Sequence, residues 1–104
     1  MPLRILLIEP DATLKKDLAL VLQSTGGYEV ETLDSPQQAT PLLISRPFAV
    51  LLGKQPALSN MPASMLKIGY GTYRSPPPEH CLGWIEHWQP LPGFAERVRL
   101  LLEG

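Results

Sequence analysis

Cysteine is nearly absent from this chain: Cys81 is the only one in 104 residues. A single thiol excludes an intrachain disulfide framework and suits a reducing, cytoplasmic setting. An excess of basic charge is missing too. Nine Lys and Arg against ten Asp and Glu leave a net charge of -1, which offers no broad footprint for nucleic acid and no polybasic anchor for a membrane. No apolar run approaches the roughly 20 residues of a membrane-spanning helix. Met1-Pro2-Leu3-Arg4 leads straight into a short apolar segment, without the length or the cleavage site of a signal peptide. His80, Cys81 and His87 do not fall at zinc-ligand spacing. Cys81 has no obvious His-Asp partner in a nucleophile motif, so a buried or inert thiol is the better reading. Gly26-Gly27 follows a helical segment instead of opening one and is no phosphate loop. No metal, no cofactor and no catalytic role are expected.

What the chain has in excess is proline. Twelve prolines are more than twice the average usage of about 5%. Most lie in the second half, where helices should be short or absent. The length suits one domain over residues 1–104 with a single modest core.

The first half carries a clear alternation of elements. Leu3 to Ile8 is apolar except for Arg4 and stops at Glu9-Pro10, as a strand buried on both faces does. Asp11 is placed to cap a helix whose apolar side is Leu14, Leu18, Val21 and Leu22. Gly26-Gly27 ends it. Tyr28 to Leu33 reads as a second strand, Tyr28 and Val30 alternating with Glu29 and Glu31. Ser35-Pro36-Gln37-Gln38 is a helix start, with Ser35 as N-cap and Gln38 closing a capping box. Ala39, Leu42 and Leu43 would form the buried face of that helix, which Pro41 weakens. Phe48 to Leu52 is a third strand. This order argues a parallel sheet with right-handed crossovers.

From Gly53 the pattern degrades. Lys54 to Ser64 reads as loop and Met65 to Tyr70 as a fourth strand. Pro76-Pro77-Pro78 is an extended connector. Leu82 to Trp88 is a fifth strand, with Trp84 and Trp88 on one face and Ile85 and His87 on the other. Gln89-Pro90-Leu91-Pro92-Gly93 turns the chain into a last helix whose apolar side is Phe94, Val98, Leu101 and Leu102.

The succession Arg4-Ile5-Leu6-Leu7-Ile8-Glu9-Pro10-Asp11 resembles the first strand and acidic tip of a response-regulator receiver domain. Gly27-Tyr28-Glu29-Val30 with Ser35-Pro36-Gln37-Gln38-Ala39 resembles that family's second strand and helix. Arg46-Pro47-Phe48-Ala49-Val50-Leu51-Leu52 is similar to its third strand. Gln89-Pro90-Leu91 with Phe94 to Leu102 looks like its Lys-Pro-aromatic turn and last helix. The resemblance implies a flavodoxin-like three-layer α/β sandwich with a five-stranded parallel sheet in the order 2-1-3-4-5. The stretch from Gly53 to Leu82 is short and proline-rich, so the third and fourth helices should be reduced or missing.

Receivers hold Mg²⁺ with acidic residues after the first strand, because a hard cation takes oxygen ligands. Glu9 matches the first such position, Pro10 replaces the second and Asp11 matches the third. Gly53 stands where the resemblance places the phospho-accepting Asp, and glycine cannot form an acyl phosphate. Gln89 replaces the lysine that pairs with the phosphoryl group. The switch hydroxyl should lie near Gly69 to Thr72; Thr72 could serve, and Gly69 and Gly71 match equally. The chain is thus similar to a degenerate receiver, or pseudo-receiver, which signals without aspartyl phosphorylation.

That implies a non-catalytic signalling and protein-interaction module of bacterial two-component type, with a protein partner or a second copy of the chain as its contact and neither nucleic acid nor membrane. Tyr70, Tyr73, Trp84 and Trp88 crowd one region and form the candidate interaction surface; the tryptophans could instead stand in for the missing helix as core. Glu9 and Asp11 could hold a weak cation site, but a capping Asp11 and a solvated Glu9 are preferred. Lys54 could pair with either acid, although a solvated loop lysine is preferred. The alternative function is a small-ligand- or metal-responsive switch using the vacated strand-tip pocket.

Overall fold

The computed structural model describes residues 3–38, 48–54, 58, 61, 65–71, 81–86 and 91–103. Five strands form one sheet among the described residues. They are β1 (Arg4–Ile8), β2 (Glu29–Leu33), β3 (Val50–Gly53), β4 (Lys67–Tyr70) and β5 (Cys81–Ile85). All pair in parallel in the order β2-β1-β3-β4-β5, the order expected. The central β1 and β3 are apolar at nearly every position because both of their faces are covered.

Side-chain parity divides the core in two. Ile5, Leu7, Val50, Leu52, Ile68, Tyr70 and Ile85 face one side. There they meet helices α1 (Ala12–Ser24) and α2 (Leu91–Glu103), which also touch each other. Leu6, Ile8 and Leu51 face the other side, where Phe48, Leu58 and Met61 cover them, with Trp84 packed at the margin. These are the two α-helices among the described residues, and both lie on one face of the sheet.

Helix α1 starts where expected: Asp11 Oδ1 accepts from the N–H groups of Thr13 (3.0 Å) and Leu14 (3.1 Å), satisfying two of the donors that a helix start leaves without partners. It ends as Gly27 turns at φ +71° and donates to Gln23 O. Within the described residues the second start signal forms a 3₁₀ turn, Pro36–Gln38, and Gln38 Oε1 accepts from Asp34 N and Ser35 N. Ala39, Pro41, Leu42 and Leu43 lie outside the described residues.

Several features differ from expectation, the starts of β3 (Val50), β4 (Lys67) and β5 (Cys81) among them. Helix α2 begins at Leu91, inside the segment read as a turn. The first turn of a helix tolerates proline because its N–H needs no intrahelical partner. In the segment read as loop, Leu58 N donates to Lys54 O and Met61 N to Leu58 O, helical-type bonds that carry Leu58 and Met61 into the core. In β4, Lys67 is 1% exposed and donates from Nζ to Met65 O at 2.8 Å.

Candidate functional site

Parallel pairing brings every strand's C-terminal tip to one end of the sheet, where ligands of such folds bind. Ile8 pairs with Gly53 and Gly53 with Gly69. The residues just beyond those tips, Glu9, Lys54 and Tyr70-Gly71, therefore share that end.

Glu9 is not the solvated edge residue expected from the sequence: it is 1% exposed. Tyr70 Oη donates to its Oε1 at 2.6 Å. Lys54 Nζ lies 3.4 Å from the same oxygen. The backbone N–H of Asp11 donates to Oε2 at 3.0 Å. A buried carboxylate is costly unless it is paired and hydrogen-bonded, and here both oxygens are engaged.

Lys54 is likewise not a solvated loop lysine. Its half-exposed ammonium pairs with Glu9 and sits 5.6 Å from the centre of the Tyr70 ring. Its aliphatic stem runs against Gly71, where an added Cβ would lie 3.4–3.5 Å from three Lys54 carbons. Gly71 has φ +96°, a conformation that side chains rarely adopt.

Tyr70, expected on an interaction surface, is fully buried. It shares parity with Ile68 and so faces the helical side, where its ring meets that of Phe94 edge-on, centroids 5.6 Å apart at 85°. Burial first, and the bond to Glu9 second, push its hydroxyl pKa far above the ordinary phenol value. It stays a protonated donor.

A Cβ at Gly53 would stand 3.2 Å from Ile8 O and 3.5 Å from Leu58 Cδ2, so Leu58 packs beside the strand tip. Pro10 is exposed and brings no side-chain donor or acceptor, and Asp11 is engaged in capping α1.

Trp84 is half-buried. Its ring covers Gly69, where an added Cβ would meet two ring carbons at 2.1 Å, and its Nε1 donates to Gly71 O at 2.9 Å. Covering that sheet face is the core role weighed for it in the sequence. Thr72, Tyr73, Trp88 and Gln89, along with His80 and His87, lie outside the described residues.

The Mg²⁺ site of receivers does not fit the residues present. Among the described residues the one buried carboxylate, Glu9, is held by an ammonium and a phenol; Pro10 and Gly53 offer no side-chain oxygen, and Asp11 caps α1. Among the described residues no group of three or more His, Cys, Asp or Glu could hold a metal ion, and no helix is long and apolar enough to cross a membrane.

Two residues of this site escape a reading of the sequence. Leu58 is preceded and followed by proline-rich chain without periodicity, so nothing marks it as core. Tyr70 could have been placed by counting alternate residues back through Ile68. Its partnership with a residue 61 positions away could not.

No protein-family model matches the sequence, and no curated protein matches it. Solved structures do match in architecture. An orphan response regulator of H. pylori superposes with TM-score 0.74 at 15% identity, over 96% of both chains. A CheY-like response regulator receiver domain from Methylobacillus flagellatus gives 0.73 at 11%, over 97% of this chain and 99% of that one. Chemotaxis response regulator CheY4 of Vibrio cholerae gives 0.69 at 17%, over 98% and 99%. The chain thus has the fold of receiver domains, and at these identities the likeness is one of fold.

Proposed function

We propose that the chain is a non-catalytic signalling module of receiver type that works without phosphorylation, through contact with a protein partner. The observation that carries this reading is the pairing of Lys54 with buried Glu9 at 3.4 Å, beside a strand tip that bears glycine. A receiver needs a carboxylate to accept phosphate and acidic neighbours to hold the cation. Here Gly53 has no carboxylate, and the remaining acid already has a cation of the chain's own. The same pairing, with Leu58 in front of Gly53, argues against a ligand- or metal-responsive pocket at the tip. Among the described residues, the candidate contact surface retains Trp84, with Leu82 at matching parity on β5 and 38% exposed.

The test is an amide-resolved NMR titration with Mg²⁺ and beryllofluoride. Unmoved resonances at Glu9, Asp11, Gly53 and Lys54 are expected. Saturable shifts at those positions would overturn the reading and restore a phosphate- or metal-responsive switch.

A further inference from the structure

Three observations meet on one side chain. The Tyr70 hydroxyl holds Glu9 at the strand tips. The Tyr70 ring packs edge-on against Phe94, in the first half of α2. Both rings are shut away from solvent, Tyr70 at 0% and Phe94 at 1% exposure. Tightly packed interiors transmit displacements because their side chains have few alternative positions. A group that moves Glu9 must therefore either break the hydroxyl bond or carry the ring with it.

We propose that Tyr70 is a positioning residue that couples the strand-tip acid to the seat of the C-terminal helix, so that the Lys54–Glu9 pair sets where α2 lies. The chain of contact is continuous: Lys54 Nζ to Glu9 Oε1, Glu9 Oε1 to Tyr70 Oη, Tyr70 ring to Phe94. Beyond Phe94 the helix buries Ala95 and Val98 in the same core and turns Glu96, Arg97 and Leu100 to solvent. A shift of Phe94 therefore moves an exposed surface on the far side of the helix. This coupling is independent of whether a partner or a ligand acts on the tip.

Contiguity alone does not establish coupling; a double-mutant cycle does. The full chain would be compared as wild type, Lys54→Met, Tyr70→Phe and the double variant, by ¹H–¹⁵N amide shifts and hydrogen exchange. Lys54→Met is expected to shift the amides of Phe94, Ala95 and Val98 and to accelerate their exchange about tenfold through looser seating of the helix. In the Tyr70→Phe background, which keeps the ring and removes only the hydroxyl, Lys54→Met should leave those amides nearly unmoved. A Glu9→Gln variant should reproduce the helix shifts; if it fails to fold, the Lys54 and Tyr70 cycle decides alone, since Lys54 is half-exposed. Helix shifts of equal size with and without the hydroxyl, or perturbations confined to Asp11, Gly53 and Gly71, would overturn the proposal.

Discussion

The ammonium of Lys54 stands 3.4 Å from the carboxylate of Glu9, one of the two buried charged residues among those described. The sequence places these two residues 45 positions apart, on the ends of adjacent strands β1 and β3. The end of β3, which bears Gly53, thus carries an internal counter-ion for Glu9 one residue further on.

Removing that counter-ion should leave Glu9 with hydrogen bonds but no opposite charge. Lys54→Met is expected to destabilise the fold by about 1–2 kcal/mol, less than for a fully buried pair because solvent reaches the ammonium. Urea unfolding at neutral pH measures this. An unchanged midpoint would show that the pair contributes nothing to stability.

Placing an aspartate at Gly53 should not confer phosphorylation. In Gly53→Asp the new Cβ meets Ile8 O at 3.2 Å and Leu58 Cδ2 at 3.5 Å, and the carboxylate adds a second negative charge beside Glu9. The variant should lose about 1–3 kcal/mol through crowding and charge burial. It should take up no phosphoryl group from acetyl phosphate, as read by intact mass.

Two glycines facing opposite sides of the sheet should respond differently to alanine. At Gly69 a Cβ meets the rigid Trp84 ring at 2.1 Å, whereas at Gly83 it meets the flexible end of Leu101 at 2.6 Å. Gly69→Ala should cost about 1–3 kcal/mol and shift the Trp84 indole N–H resonance, since the ring must leave Gly71 O. Gly83→Ala should cost under about 1 kcal/mol, because a leucine can change rotamer and alanine leaves the unfolded chain less conformational entropy than glycine does.

Alkali should find Tyr70. Its folded pKa is raised above the ordinary value of 10.0, so the folded state keeps a proton that the unfolded state releases. The stabilisation is complete below pH 10 and is lost as pH rises beyond it, at about 1.4 kcal/mol per pH unit. Tyr70→Phe has no proton to lose at that position. The stability gap between wild type and variant should therefore hold steady below pH 10 and narrow above it, across urea unfolding at pH 9, 10 and 11. A gap independent of pH would show that the hydroxyl ionises normally.

Much of the architecture was legible because its signals are local. The apolar run Ile5 to Ile8, the cap at Asp11 and the positive-φ Gly27 act within a few residues of themselves. The parallel order followed from the resemblance and from short connections between unlike elements. The start of α2 was displaced because proline in a first turn looks the same in sequence as proline in a loop.

The site was legible only in what it lacks. That Gly53 carries no acid and Pro10 no ligand is written in the chain itself, since a missing side chain is missing in any fold. What replaces them is not. Glu9 looks like any acid after a strand, Lys54 like any loop lysine, and Tyr70 like one more aromatic in a crowded stretch. Their burial and mutual contact arise when β1, β3 and β4 align their tips, because only then does removal from water force the three polar groups onto one another. The sequence by itself determined the alternation of strands and helices and that Gly53 bears no carboxylate, through periodicity and residue identity. Only the tertiary structure decided that Glu9, Lys54 and Tyr70 meet at the tip, since desolvation and pairing belong to groups far apart in the chain.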